Sequence, residues 1–306
     1  MKTRYLAFLA TVPLITAGTL TACGASDPYA SAPTAEDSGK PTIVVGSANF
    51  SENILLGEIY AKTLENQGFA VERKLNIGAR EVLYSQVENC TLDVVPEYNQ
   101  ALLAFIAPDV SASGTEEVNS ALQQQLPDSL QILKSSEAQN NNSVAVTSAI
   151  AQEFGLTKIE DLAAHAEEMT FGGPTEWKTR SDGYQGLAED YGVSFREYKN
   201  LDYSGPITLA ALGKGDIDAA LLFSTTPQIE TEGFVVLQDP KNTIGVNNVT
   251  PLICANEVPE AAQDALGKIS ESLSTEELTL LNKQYVLDHR DAAEVANEWI
   301  TQKGLS

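Results

Sequence analysis

Histidine is scarce: the 306 residues hold two, His165 and His289. Each falls in a stretch that reads as helix, and neither has a partner at ligand or triad spacing. With three cysteines in the whole chain, a metal centre lacks donors. The hydrolase signatures Gly-x-Ser-x-Gly and His-Glu-x-x-His are both missing, and no two carboxylates are set apart by spacing. A secreted hydrolase is therefore the weakest reading; the chain is expected to be no enzyme and to need no cofactor. Basic residues are few as well, 19 against 42 acidic ones, for a net charge of -23. No basic patch exists to neutralise phosphates, which argues against nucleic acid as a partner. A surplus of acid favours solubility and repels anionic membrane surfaces. Long apolar runs are missing too. The most apolar stretch, Tyr5–Thr16, falls short of the ~20 residues a membrane helix needs, so the chain does not read as a channel or permease.

What is present begins with that stretch. Lys2 and Arg4 precede it, and Leu20-Thr21-Ala22-Cys23 follows. A basic start, a short apolar core and this tetrapeptide resemble the signal and lipobox of a bacterial lipoprotein. Residues 1–22 would then be removed, and Cys23 would carry lipid. Gly24–Lys40, rich in Ser, Ala, Pro and Asp, reads as a flexible tether. Residues 23–40 would hold a soluble body at the membrane through lipid alone. An exported chain meets conditions in which disulfides survive. Cys90 and Cys254 are either bridged or two free thiols; the sequence alone gives no distance between them.

The body opens on Pro41–Tyr60, PTIVVGSANFSENILLGEIY. Thr42–Val45 is a short β-branched run of the kind a strand buried on both faces has. Gly46 and Ser47 turn the chain, and Asn49 with Glu52 three residues on matches a capping box for the helix that follows. A helix N-terminus at the carboxyl end of a strand suits an anion or polar ligand, which makes Ser47 and Asn49 candidate contacts. Strand-like and helix-like stretches then alternate. Strands are expected over Ala70–Leu75, Leu92–Val95 and Leu130–Lys134, with helices over Arg80–Asn89, Asn99–Ile106 and Glu116–Leu126. The polar run SSEAQNNN, Ser135–Asn142, reads as a crossover. A second series follows, with strands at Ser143–Thr147, Thr170–Gly173, Phe195–Leu201, Ile217–Phe223 and Phe234–Gln238. Ile159–Met169 is expected to contain a helix. Asn247-Asn248 marks a return, and the last third reads as helices, one behind the capping box Ser274…Glu277. One echo stands out: TLDVVPEY and DIDAALLF each place an aromatic, Tyr98 or Phe223, five residues after an aspartate, Asp93 or Asp218. Spacing leaves two readings open, either facing walls of one cleft or two core aromatics at strand ends.

Taken together, GSANFSEN, VENCTLDVVPEY, EWKTRSDGYQGL, GPITLAALGKGDIDAALLFST and NNVTPLI resemble, in order, segments of the substrate-binding proteins of ABC importers for glycine betaine and related osmoprotectants. The resemblance implies an α/β, two-lobed fold of the type II periplasmic-binding-protein kind with a hinge. Lobe I would be 41–138 plus 250–306, and lobe II 139–249. It further implies a monomer outside the cytoplasm that captures a small solute and hands it to an ABC permease driven by a cytoplasmic ATPase. Members of this family hold a quaternary ammonium among aromatic faces and a carboxylate with an arginine, because such an ammonium has no N–H to donate. Tyr98, Phe223 and Arg180 stand at matching positions. Asn142 and Asn247 stand where tyrosine is common, and Ala48 where several relatives place Lys. That depletion leaves a second solute class open, a more polar one that hydrogen-bonds to the asparagines. Trp177, Tyr184 and Tyr203 are the rings available as replacements.

Overall fold

A computed structural model describes residues 41–305. The lipobox, Cys23 and the tether therefore lie outside the described residues.

Ten strands form two five-stranded sheets. β1 (Thr42–Gly46), β2 (Ala70–Lys74), β3 (Val94–Tyr98) and β4 (Leu130–Ile132) are joined by β10 (Val249–Cys254) in the order β2-β1-β3-β10-β4. The second sheet takes β5 (Asn142–Thr147), β6 (Thr170–Gly173), β7 (Glu197–Asn200), β8 (Ala219–Phe223) and β9 (Phe234–Val236), in the order β7-β6-β8-β5-β9. Each sheet has one internal strand antiparallel to its neighbours, β10 in the first and β5 in the second. The chain leaves the first sheet over residues 133–141 and returns over 237–248. The two crossovers meet in a bridge between Gln139 and Asn248 and in the hydrogen bond from Asn140 N to Asn247 O.

Eleven α-helices cover the sheets among the described residues. Around the first sheet lie α1 (Ser51–Asn66), α2 (Arg80–Glu88), α3 (Asn99–Ile106) and α4 (Thr115–Gln125). The second carries α5 (Ser148–Phe154), α6 (Tyr184–Tyr191), α7 (Pro206–Lys214) and α8 (Gln228–Thr231). The chain then ends with α9 (Glu260–Ser272), α10 (Thr275–Asn282) and α11 (Ala292–Lys303). Apolar side chains are buried on both faces of each sheet: Ile43 and Val45 on one face and Val95 and Leu252 on the other in the first, Val144 and Leu221 against Ala145 and Leu222 in the second. Burial on both faces is why the strands read as continuous apolar runs.

The two aspartates of the echo hold equivalent places. Asp93 accepts the Val44 amide of β1 at 2.7 Å, and Asp218 accepts the Thr170 amide of β6 at 2.7 Å. Each carboxylate ties the start of its own strand to the neighbouring one. A disulfide joins Cys90, just past α2, to Cys254 at the end of β10, with Cα atoms 5.6 Å apart.

Several expectations fail locally. Glu52 closes no capping box: α1 starts at Ser51, its N-cap is Phe50, and no side chain caps it. Instead of reaching back to the chain ahead of the helix, Glu52 turns into the interior, where it is 4 % exposed. Residues 159–168 form two short 3-10 segments rather than an α-helix. Strand β10 carries Pro251 in its middle, a residue that argues against an internal strand. It lies opposite Pro96 of β3, so two residues without an N–H face each other. By contrast, the Ser274–Glu277 capping box forms in both directions, and Gly304 ends α11 in the left-handed conformation.

Candidate ligand site between the lobes

A cavity of about 50 Å³ lies where the carboxyl ends of β3 and β8 approach each other. Its walls include Tyr98 at the end of β3 and Phe223 at the end of β8. The strand that places each aromatic is tied down by its aspartate five residues earlier. Asn49, Asn142, Arg180 and Asn247 line the same cavity. Ser47 does not: it is fully buried, its hydroxyl accepting the Asn76 amide at 2.9 Å and facing the carbonyl of Ala48. It shapes the β1–α1 turn and is not part of the cavity wall.

Two further rings are present. Phe50 and Tyr203 line the cavity, and the four rings touch in sequence. Centroids are 6.0 Å apart for Phe50–Tyr98, 4.8 Å for Phe50–Phe223 and 4.9 Å for Tyr203–Phe223. Tyr98 and Phe50 belong to the lobe of the first sheet, Tyr203 and Phe223 to the other. Of the suggested replacements only Tyr203 serves. Trp177 is fully buried and stacked on Phe171, and Tyr184 packs on Phe171 and Tyr198 in the same core. Phe50 escaped sequence reasoning because it sits beside the supposed cap, where an aromatic reads as packing.

Polar groups complete the wall, and most already have partners. Asn142 Oδ1 accepts the Tyr203 hydroxyl at 3.3 Å. Asn247 Oδ1 accepts the Ala101 amide at 2.8 Å, capping α3 from the far crossover. Asn140, which the sequence did not single out, donates to Glu52 at 2.6 Å and keeps a buried Oδ1 with no partner among the described residues. Arg180 reaches across the cleft to Glu81 at 3.0 Å and to the Tyr203 hydroxyl at 3.4 Å. Arg80, read only as the start of a helix, lines the cavity and holds Glu97 with two nitrogens, Nε at 3.0 Å and Nη2 at 2.8 Å.

Electrostatics concentrate behind the rings. Glu52 accepts four hydrogen bonds, from Tyr98 Oη (2.7 Å), Asn140, Thr225 and Asn282 (2.6 Å each). Burial drives its pKa above the usual carboxylate range, and the hydrogen bonds from Thr225, Tyr98, Asn282 and Asn140 offset part of that. Burial raises Asp182 too, against the pull of Arg180 and Arg80. Tyr98 is pushed well up, first by burial and then by the Glu52 charge, so its hydroxyl stays a donor. Arg80 is held in its charged form: burial opposes the charge, and the Glu97 carboxylate outweighs it. Chemically, this is a pocket of ring faces, oriented dipoles and two guanidinium groups.

Comparison with known proteins agrees with this geometry. The family model described as the substrate-binding domain of an ABC-type glycine betaine transport system matches residues 41–302. The chain is 25% identical over 279 residues to the glycine betaine-binding protein YehZ of Escherichia coli, covering 86% of this chain and 90% of that one. It is 24% identical over 282 residues to the ergothioneine transport permease/ergothioneine binding protein EgtU of Helicobacter pylori, covering 86% of this chain and 48% of that longer one. A solved glycine betaine/carnitine/choline ABC transporter structure superposes with a TM-score of 0.69 at 20% identity, over 86% of this chain and 99% of that one. These neighbours share the two-lobed architecture.

Proposed function

Because the chain belongs to the family of substrate-binding domains of ABC-type glycine betaine transport systems, we propose that it captures a quaternary-ammonium solute between its lobes and delivers it to an ABC permease. Tyr98, Phe50, Tyr203 and Phe223 are the proposed ammonium walls, and Arg180 is a proposed contact from the second lobe. The proposal extends to the cell surface: lipid on Cys23 would keep a monomeric receptor at the outer face of the membrane.

One observation carries the reading. Four aromatic rings, two from each lobe, converge on one cavity. A cation that cannot donate an N–H gains most from such faces, about 0.5–2 kcal/mol per ring depending on desolvation. The rings of the two lobes pack against each other across this cavity, so the ligand enters with the lobes drawn apart and is bound as they close. The closed form is favoured only by contacts that bridge both lobes, and the divided ring set supplies them.

A second reading, a more polar solute, is favoured by Asn140, whose unpaired Oδ1 lacks a donor. Melting curves against glycine betaine, choline, carnitine and proline betaine, and against proline and glycine as solutes without a quaternary ammonium, separate the two. A quaternary ligand at 100 times its Kd contributes about 2.7 kcal/mol, a rise of roughly 5–10 °C for a body of this size. The rise should disappear in Phe223→Ala. A rise with non-quaternary solutes alone would replace the first reading with the second.

A further inference from the structure

Arg80 has no assigned role, yet its guanidinium is the most firmly held cation at the cavity. The side chain is 11% exposed and that of its partner Glu97 4%. Glu97 occupies the Nε–Nη2 edge, with contacts of 3.0 and 2.8 Å, and its Oε2 also accepts the Tyr98 amide at 2.9 Å. The carboxylate is thereby fixed to the strand that carries the Tyr98 ring, and the arginine is fixed to the carboxylate. A guanidinium has five N–H donors. Two nitrogens serve Glu97, and Nη1 makes no hydrogen bond among the described residues. Arg80 is also the first residue of α2, and Ala79 and Leu83 of the same turn line the cavity beside it. The positive end of that helix therefore borders the same space. Ala48 lies on this wall too and adds no charge or bulk of its own.

Resting on the proposed function, we infer that Arg80 is a specificity-determining residue: its free Nη1 edge receives the carboxylate of the solute, so the site selects zwitterionic betaines over quaternary ammonium cations that lack a carboxylate. Arg180 differs in kind. It is committed to Glu81 across the cleft. Arg80 is in place before ligand arrives, oriented by a buried partner, and donates without rearrangement. Glu97 neutralises the charge of Arg80 but leaves the unoccupied N–H groups in place. Choline offers these donors one neutral hydroxyl oxygen in place of a two-oxygen anionic acceptor, and a charge-assisted hydrogen bond is the stronger, which is what disfavours choline.

Glycine betaine and choline share a trimethylammonium head and differ in carboxylate against hydroxymethyl. Calorimetric titration of the purified protein with each should give a preference for glycine betaine of about 30-fold or more, the scale of a charged hydrogen bond. In Arg80→Gln, glycine betaine should weaken by about that factor while choline stays within about 3-fold, so the preference collapses. Because Arg80→Gln strands Glu97, the paired variant Arg80→Gln/Glu97→Gln, neutral at both positions, is measured alongside, and Arg80→Lys provides a third protein in which the Glu97 charge keeps a partner. The inference falls if the folded variants keep the wild-type preference, or if Arg180→Gln abolishes it while Arg80→Gln does not. Failure of the functional reading looks different: the wild-type protein then binds neither compound, and both conclusions fall together.

Discussion

Replacing Glu52 tests what holds the two lobes in register. Its carboxylate sits on α1 and gathers Tyr98 from β3, Asn140 from the crossover, Asn282 from α10 and Thr225 from the segment after β8. The bond to Thr225 spans the lobes. Glu52→Ala removes the acceptor of four buried donors. At about 1 kcal/mol each, less the relief of no longer burying a charge, the loss is about 3 kcal/mol. For a body of this size that lowers Tm by roughly 6–12 °C. Glu52→Gln behaves differently. It keeps the volume and two acceptor contacts, and its amide can donate to the Oδ1 of Asn282, which has no partner among the described residues. The sign of the pH dependence follows from burial. The folded pKa of Glu52 is raised above 4.5, so between those two values the folded state holds a proton that the unfolded chain has lost. Stability is therefore fully present below the unfolded pKa and declines as pH rises through the folded one. Calorimetric melts from pH 4 to 8 should show that decline in wild type and a flatter curve in Glu52→Gln. Equal slopes in the two proteins would refute the buried charge. A Glu52→Ala protein melting within about 2 °C of wild type would refute the hub, because it leaves less than about 1 kcal/mol for four bonds.

Two other substitutions probe the scaffold. A Cβ on Gly186 would stand 2.0 Å from the Ser181 carbonyl oxygen and 2.8 Å from Thr243 Cγ2, so Gly186→Ala must displace the turn that carries Arg180 and Asp182. A cost of about 1–3 kcal/mol is expected in melting, with weaker ligand binding by titration. Gly267→Ala in α9, where a Cβ meets nothing within 4 Å, should instead stabilise by about 0.5–1 kcal/mol; a loss there would undermine the contrast. Removing the Cys90–Cys254 bridge, which spans 164 residues, with a Cys90→Ser/Cys254→Ser pair should cost about 2–4 kcal/mol in denaturant unfolding. Unchanged unfolding would mean that the bridge constrains nothing the fold does not already fix.

What was legible in the sequence was local. Runs such as Thr42–Val45 and Ile217–Phe223 announce buried strands because both faces are covered. Ser274 and Glu277 announce a helix start because a capping box is complete within four residues. The echo around Asp93 and Asp218 was visible because each unit repeats the same short-range device. Asn49 and Glu52 have the same local spacing as Ser274 and Glu277, yet no box forms there. The difference lies 46 to 230 residues away, in the four donors that claim Glu52. Spacing cannot register such competition. Arg80 and Phe50 were missed for the same reason, since their roles depend on Glu97, Tyr203 and Phe223 arriving from other elements.

The pattern of misses locates the site. Strands and helices obey local rules because their backbone groups are satisfied locally. A cleft between lobes must fix its side chains with partners drawn from distant segments, since neither lobe alone encloses it. Asn247 caps α3 across 146 residues, and Thr225 reaches Glu52 across 173. Both bonds involve crossover or loop residues that sequence patterns read as mere connectors. Those connectors therefore carry part of the polar wall, while the rings come from the ends of β3 and β8 and from the loops that hold Phe50 and Tyr203. In the proposed mode, a solute with one apolar cationic head and one anionic tail would place the head against Phe50, Tyr98, Tyr203 and Phe223 and the tail toward the start of α2, where Arg80 stands.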